Sequence, residues 1–198
     1  MTYNLLIFVK NPVLGKVKTR IASTAGNERA LAVYQLLLQH TRQVTRRLTC
    51  NKWVFYDSFI PLEDAWTHTL YQKHLQSGAN LGQRMHNAFA TAFARNCRKA
   101  VIIGSDCLQL QTQHLLMAFE QLDNADVVIG PATDGGYYLL GMKQLYAPMF
   151  ENKPWSNSNL LAETLQTIQQ LGLRYFMLPA LSDVDTWEDW LRCGGTEL

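Results

Sequence analysis

The sequence predicts an α/β protein in three layers, with a mainly parallel central sheet covered by helices on both faces. Two observations carry this. Short runs rich in Leu, Ile, Val and Phe alternate with longer segments of helical apolar spacing along the 198 residues, as strand–helix crossovers do. The strand-like runs are apolar almost throughout rather than at every second position, which is expected of strands covered on both sides. A chain of this length buries roughly 70% of its unfolded surface and needs neither disulfide nor metal to hold its core.

The elements follow in order. "YNLLIFV" (3–9) is a buried strand. "NERALAVYQLLLQHTRQVTRRL" (27–48) is a helix whose basic last stretch suits its C-terminus. "KWVFYD" (52–57) is a second strand, 80–95 a helix, and "KAVIIG" (99–104) a third main strand running into Gly104-Ser105-Asp106. A helix (112–122), a strand (126–130), a Gly-Gly turn, the apolar segment "YYLLGM" (137–142), a helix (158–171), a strand (174–178) and a short last helix complete the chain. No repeat, low-complexity tract or Gly/Ser linker interrupts it. Ligands of such sheets sit outside the carboxyl ends of the strands, which singles out the loops 10–20, 57–60, 104–108 and 130–137.

Charge supports a phosphorylated ligand. Residues 1–57 hold nine Lys/Arg against two acidic residues, a balance of +7, whereas the rest holds nine against fourteen, a balance of −5. Cationic loops facing metal-binding carboxylates would divide in this way. Nucleic acid is disfavoured, because such domains usually exceed a pI of about 9 and this chain stands near 8.3. The four cysteines form no C-x-x-C pair or zinc spacing, in keeping with reduced thiols. The start lacks a basic leader and a small-residue cleavage site, and no apolar stretch is long enough for a membrane span. The expected location is the cytoplasm.

Three loops carry the chemistry. In "KNPVLGKVKTR" (10–20), Pro12 and Gly15 shape a turn. Lys10, Lys16, Lys18 and Arg20 supply charge there, Arg as a two-pronged grip on phosphate and Lys as a point charge. The loop is neither a Walker A sequence nor a dinucleotide fingerprint. Asp106, just past a buried strand, suits Mg²⁺ or Mn²⁺ shared with diphosphate oxygens. In "GPATDGGYYLLG" (130–141), Asp134 precedes two glycines that admit close backbone approach, and Tyr137 or Tyr138 could stack on a sugar. Further on, Asp185 with Glu188 fits a box that starts the last helix, and Asp183 is free to be a second metal ligand.

"FVKNPVLGKVKTRI", "QSGANLGQRMHNAF", "IIGSDCLQL", "VIGPATDGGYYLLGM", "PWSNSN" and "DVDTWEDW" stand in the order found in a small bacterial family. The chain resembles that family over nearly its whole length. Its members are assigned as glycosyltransferases of the GT-A-like, nucleotide-diphospho-sugar-transferase fold, some linked to arsenosugar biosynthesis. More distantly it resembles nucleotidyltransferases that transfer GMP to phospholactate or molybdopterin. The resemblance implies one nucleotide-sugar-binding domain over 1–198. It implies that Lys10, Pro12, Gly15, Lys18 and Arg20 meet the diphosphate. Gln76, Leu81, Gly82 and Arg84 would lie along the nucleotide, with Asp106, Asp183 and Asp185 around the Mg²⁺ or Mn²⁺. Asp134, Gly135, Gly136, Tyr137 and Trp155 would face the acceptor. Leu108 stands where the family usually has Pro, leaving that loop less rigid.

The function expected is transfer of a sugar from a nucleoside diphosphate to a small acceptor. Lys18 and Arg20 would stabilise the leaving diphosphate and Asp134 would act on the acceptor hydroxyl. The rivals are a nucleotidyltransferase acting on a phosphorylated small molecule and a non-catalytic nucleotide-sugar-binding protein.

Overall fold

The computed structural model describes residues 2–155 and 157–196. Seven strands, β1 (Tyr3–Val9), β2 (Asn51–Tyr56), β3 (Gln72–Leu75), β4 (Lys99–Ile103), β5 (Val127–Pro131), β6 (Tyr137–Met142) and β7 (Tyr175–Met177), form one sheet. Their order is β3-β2-β1-β4-β6-β5-β7. Six α-helices accompany them among the described residues: α1 (Thr19–Ala25), α2 (Asn27–Thr45), α3 (Leu81–Ala94), α4 (Thr112–Gln121), α5 (Leu160–Gln170) and α6 (Trp187–Arg192).

The central strands are apolar on both faces because both are covered. Leu5, Ile7 and Val9 of β1 pack with α1, α2, α4 and α6 on one side. Leu6 and Phe8 pack with α3 and α5 on the other. Each fully buried Leu, Ile or Phe contributes about 1.5–3 kcal/mol relative to exposure. The three layers match the sequence expectation. Buried lysines satisfy main-chain carbonyls around this core: Lys52 Nζ donates to Leu48 O at 2.7 Å, and Lys99 Nζ donates to Phe119 O at 2.7 Å. A buried ammonium without such partners would be expensive.

The structure differs from the sequence reading at four places. β6 is antiparallel to both β4 and β5, the one reversed strand, whereas an apolar run carries no mark of direction. β3 is an additional short edge strand pairing with β2, half-buried and therefore without an apolar run. α1 is an additional helix of seven residues that buries only Ile21. The box starting α6 falls on Thr186 and Asp189, not on Asp185 and Glu188: Thr186 Oγ1 accepts from Asp189 N, and Asp189 Oδ2 accepts from Thr186 N. The Asp185 side chain is thereby left free of the cap, while its N–H donates to Asp189 Oδ2 at 3.2 Å.

From β1 the chain moves outward to β2 and β3, then returns to place β4 on the other side of β1. The connections after β1 and β4 therefore diverge, leaving a crevice at the carboxyl edge, where ligands of such sheets bind. Because β6 runs backwards, it presents its first residue, Tyr137, to that same edge.

Candidate functional site

A cleft of about 820 Å³ occupies this crevice. It gathers Lys10, Lys18, Arg20, Gln76, Leu81, Arg84, Asp106, Asp134, Gly136, Tyr137, Trp155, Asp183 and Asp185 from across the sequence. Pro12, Gly15, Gly82 and Gly135 do not line it. Pro12 instead borders a separate hollow of about 650 Å³, with Leu36, Phe59 and Trp66. Ser156, inside the "PWSNSN" stretch, lies outside the described residues.

The centre of the cleft is a lysine among carboxylates. Lys18 Nζ lies 2.7 Å from Asp106 Oδ1 and 3.4 Å from Asp185 Oδ1, and it donates to Val184 O at 2.6 Å. Burial alone would lower its pKa, but the Asp106 and Asp185 carboxylates outweigh it and the net shift is upward. Arg20, mostly exposed, reaches Asp185 Oδ2 at 3.5 Å. The chain 181–185 is strapped beside the loop after β4, with Val184 N donating to Asp106 O at 2.8 Å and Ser182 N to Gln109 Oε1 at 2.9 Å. These bonds anchor the loop that carries Leu108. Asp183 Oδ1 is buried with no hydrogen-bond partner. Burial, and then the Asp106 charge, push this carboxyl up to about 7, against the pull of Lys18.

On the side of β2 and β3 the polar groups are held by backbone. Gln76 Nε2 donates to Val9 O at 3.1 Å and Phe55 O at 3.0 Å, and its Oε1 accepts from Arg84 Nη1 at 3.3 Å. Gln76 thus closes the gap between the ends of β1 and β2 rather than presenting a free amide. Arg84 Nε is fixed on Gly78 O at 3.1 Å, so the guanidinium is oriented along the cleft wall. Asn11, buried, donates its N–H to Asp57 Oδ1 at 2.7 Å and accepts from Ser58 N and Phe59 N. Tyr34 joins the first loop to the one after β4, its hydroxyl accepting from Lys10 N at 2.7 Å and lying 3.2 Å from Ser105 Oγ.

On the opposite side, Asp134 Oδ1 accepts from Gly136 N at 2.9 Å, closing the β5–β6 turn. Gly135 has φ +91°, and a side chain there would run into Ser158 O. Trp155 lies against Gly82, where a Cβ would run into the indole. Gly82 therefore serves as the seat of Trp155, bringing a residue expected on the acceptor side against α3. Tyr137 gives the cleft its ring, while its hydroxyl is buried without a partner. Tyr138 lines the cleft as well, its hydroxyl donating to Pro179 O at 3.1 Å.

Tyr34, Asp57 and Ser105 line the cleft as well and were not singled out from sequence. Asp57 carried a signal, as a carboxylate ending a strand. Tyr34 carried none, being one apolar position of a helix.

Among the described residues no three His, Cys, Asp or Glu side chains converge to enclose a metal ion. Magnesium, however, commonly takes one or two carboxylates and completes its shell with substrate phosphates and water. Asp106 and Asp185 at the cleft, with the orphaned oxygen of Asp183 behind them, fit an open site of that kind.

Sheet order, crevice and clustered charge together define the fold of nucleotide-diphospho-sugar transferases. The chain belongs to the bacterial family described as "Uncharacterized protein conserved in bacteria (DUF2064)", which matches residues 38–157. It is similar to the "putative nucleotide-diphospho-sugar transferase" of Desulfovibrio desulfuricans G20, at 31% identity over 94% of this chain and 84% of that one, with a TM-score of 0.88. The fold recurs in CMP:2-keto-3-deoxy-manno-octonic acid synthetase complexed with CTP (11% identity, 97% and 96% covered, TM-score 0.59). It recurs also in the manganese complex of Rv0371C from Mycobacterium tuberculosis H37Rv (11% identity, 98% of both chains, TM-score 0.54). None of the curated proteins matches the chain. No helix of the described residues is long and apolar enough to cross a membrane.

Proposed function

We propose that this protein binds a nucleoside diphosphate sugar together with Mg²⁺ or Mn²⁺ and transfers the sugar to a small acceptor. The observation that carries the reading is the meeting of Lys10, Lys18 and Arg20 with Asp106, Asp183 and Asp185 across one cleft at the switch point of the sheet. Breaking the glycosidic bond adds charge to the leaving diphosphate, and fixed cations beside it stabilise that charge most where water is excluded. Lys10 and Arg20 are exposed towards the cleft and meet the phosphates, while Arg84, already oriented, borders the nucleoside. A divalent cation held by Asp106 with Asp183 or Asp185 would supply further neutralisation of the leaving group. Asp134 orients the acceptor hydroxyl and takes its proton through the carboxylate oxygen not engaged by Gly136.

A second reading, nucleotidyl transfer to a phosphorylated small molecule, draws on the tie between Asp134 and Gly136. A phosphate acceptor needs no base, so an aspartate serving only its turn would suffice. The test is a thermal-shift panel of nucleoside diphosphates, their sugars and nucleoside triphosphates, each with and without Mg²⁺ or Mn²⁺. A ligand at 100 times its Kd adds about 2.7 kcal/mol of stability. Release of a nucleoside diphosphate from the best ligand supports sugar transfer, and release of pyrophosphate from a triphosphate supports the second reading. Binding without turnover over a broad acceptor set overturns both. In Asp106→Asn the metal dependence of nucleotide affinity should vanish.

A further inference from the structure

An ammonium group has three protons to donate, and Lys18 uses all of them inside the protein. Its partners are Val184 O at 2.6 Å, Asp106 Oδ1 at 2.7 Å and Asp185 Oδ1 at 3.4 Å. The side chain is 7% exposed, whereas those of Asp106 and Asp185 are 43% and 42% exposed. In this arrangement Lys18 has nothing left to offer a phosphate, although it belongs to the cleft wall. It also sits on the carboxylates that suit a divalent cation, so a metal and the ammonium compete for the same oxygens.

The geometry points to an exchange of cations. While the acidic end of the cleft lacks a metal, Lys18 bridges Asp106 and Asp185. Mg²⁺ or Mn²⁺ arriving on those oxygens displaces the ammonium into the cleft, and its freed N–H groups take phosphate oxygens. Lys18 is then a positioning group for the diphosphate that becomes available only after the metal has bound.

The backbone supports release. Lys18 holds the left-handed conformation, φ 46° and ψ 49°, at the start of α1, and its side chain makes no cap there. A non-glycine residue in that region carries a strain of about 1–2 kcal/mol, which the bonds of the ammonium offset. Such a conformation persists only where surrounding contacts hold it. Val184 O cannot follow the ammonium, because Val184 N is fixed on Asp106 O. The lysine therefore leaves and the acidic frame stays.

This inference rests on the metal and diphosphate reading above, and the experiment separates the two. The wild-type chain is acetylated with an N-hydroxysuccinimide ester, and modification of Lys18 is followed by peptide mass spectrometry. Three conditions are compared: EDTA, saturating Mg²⁺, and Mg²⁺ with inorganic pyrophosphate. Lys143, just past the other end of β6, is the internal reference, and Mn²⁺ binding is measured in parallel by calorimetry. Acetylation of Lys18 is expected to rise at least about tenfold with Mg²⁺ and to fall again with pyrophosphate. In Lys18→Met the competitor is gone, so Mn²⁺ should bind without nucleotide at least about tenfold more tightly. Metal binding with unchanged Lys18 labelling overturns the exchange and leaves the metal reading standing. Absence of metal binding overturns both. If Lys18→Met fails to fold, the labelling of the wild-type protein still decides.

Discussion

Asp183→Asn should stabilise the protein at pH 8 and change little near pH 4. One oxygen of Asp183 is buried without a partner. Burial, followed by the charges of Asp106, Asp185 and Asp134, holds the carboxyl near 7 despite Lys18. In the unfolded chain the same group titrates near the usual 3.9. Between those values the folded protein keeps a proton that the unfolded chain has released. Stability therefore falls as pH rises through this window, and the loss is complete above about 7. Roughly three pH units at 1.36 kcal/mol each amount to about 4 kcal/mol. A carboxamide has no charge to acquire and escapes this loss. Urea unfolding followed by tryptophan fluorescence from pH 4 to 8.5 gives the comparison, since most other groups titrate alike in both proteins and cancel in the difference. The difference should grow between about pH 4 and 7 and then level off. A gap independent of pH over this range would refute the reasoning. Saturating Mg²⁺ should narrow it at pH 8, because the carboxylate then gains a counter-charge.

Gly82→Ala should cost about 1–3 kcal/mol, the usual penalty of forcing an atom into a filled space, because its Cβ meets the Trp155 ring. In a Trp155→Ala background the same change should instead gain up to about 1 kcal/mol from helix propensity; equal effects in both backgrounds would remove the contact from the argument. Asp134→Asn should retain donor Kd while sugar transfer falls at least about a hundredfold, the lower end of a general base's contribution, whereas parental turnover would confine Asp134 to its turn. Thr186→Ala should lose about 1 kcal/mol as a helix cap and Glu188→Ala almost nothing, as measured by urea unfolding; the reverse ranking would restore the box to Asp185 and Glu188.

The legible parts of the fold were those written in burial. β1, β2, β4 and β5 are apolar on both faces, and their carboxyl ends locate the cleft without further information. β3 escaped because an edge strand of four residues, half-buried, has no apolar run to read. α1 escaped because seven residues with one buried side chain give no helical period. The reversal of β6 had no sequence correlate, since Tyr137–Met142 is equally apolar in either direction. At α6 the spacing of Asp185 and Glu188 imitated a capping box, whereas backbone geometry sets the box one residue further on, at Thr186 and Asp189. In the cleft, residue type and position past a strand singled out Lys18, Asp106 and Asp134, and the structure sets them in one cleft with Asp183, which spacing alone did not place. What each side chain is bonded to was not legible. Gln76 spends its amide on two strand ends, Lys18 spends its ammonium on two carboxylates, and Gly82 accommodates a tryptophan more than seventy positions away.

The reversed strand has a consequence for how such a cleft can diversify. The wall beside β1, β2 and β4 is assembled from separate segments of the chain, among them the loops after all three strands, and altering its shape requires coordinated changes in them. The wall beside β6 is largely one uninterrupted hairpin, whose tip spans residues 132–136 and whose two strands are registered by their own ladder. A tip of this kind can be exchanged as a single cassette, and doubling a flexible loop's length costs only about 0.6 kcal/mol of closure entropy. On the sugar-transfer function proposed above, swapping the 132–136 segment, with its neighbour at Ser158, between homologous chains would be a route to new acceptors that leaves the opposite wall untouched.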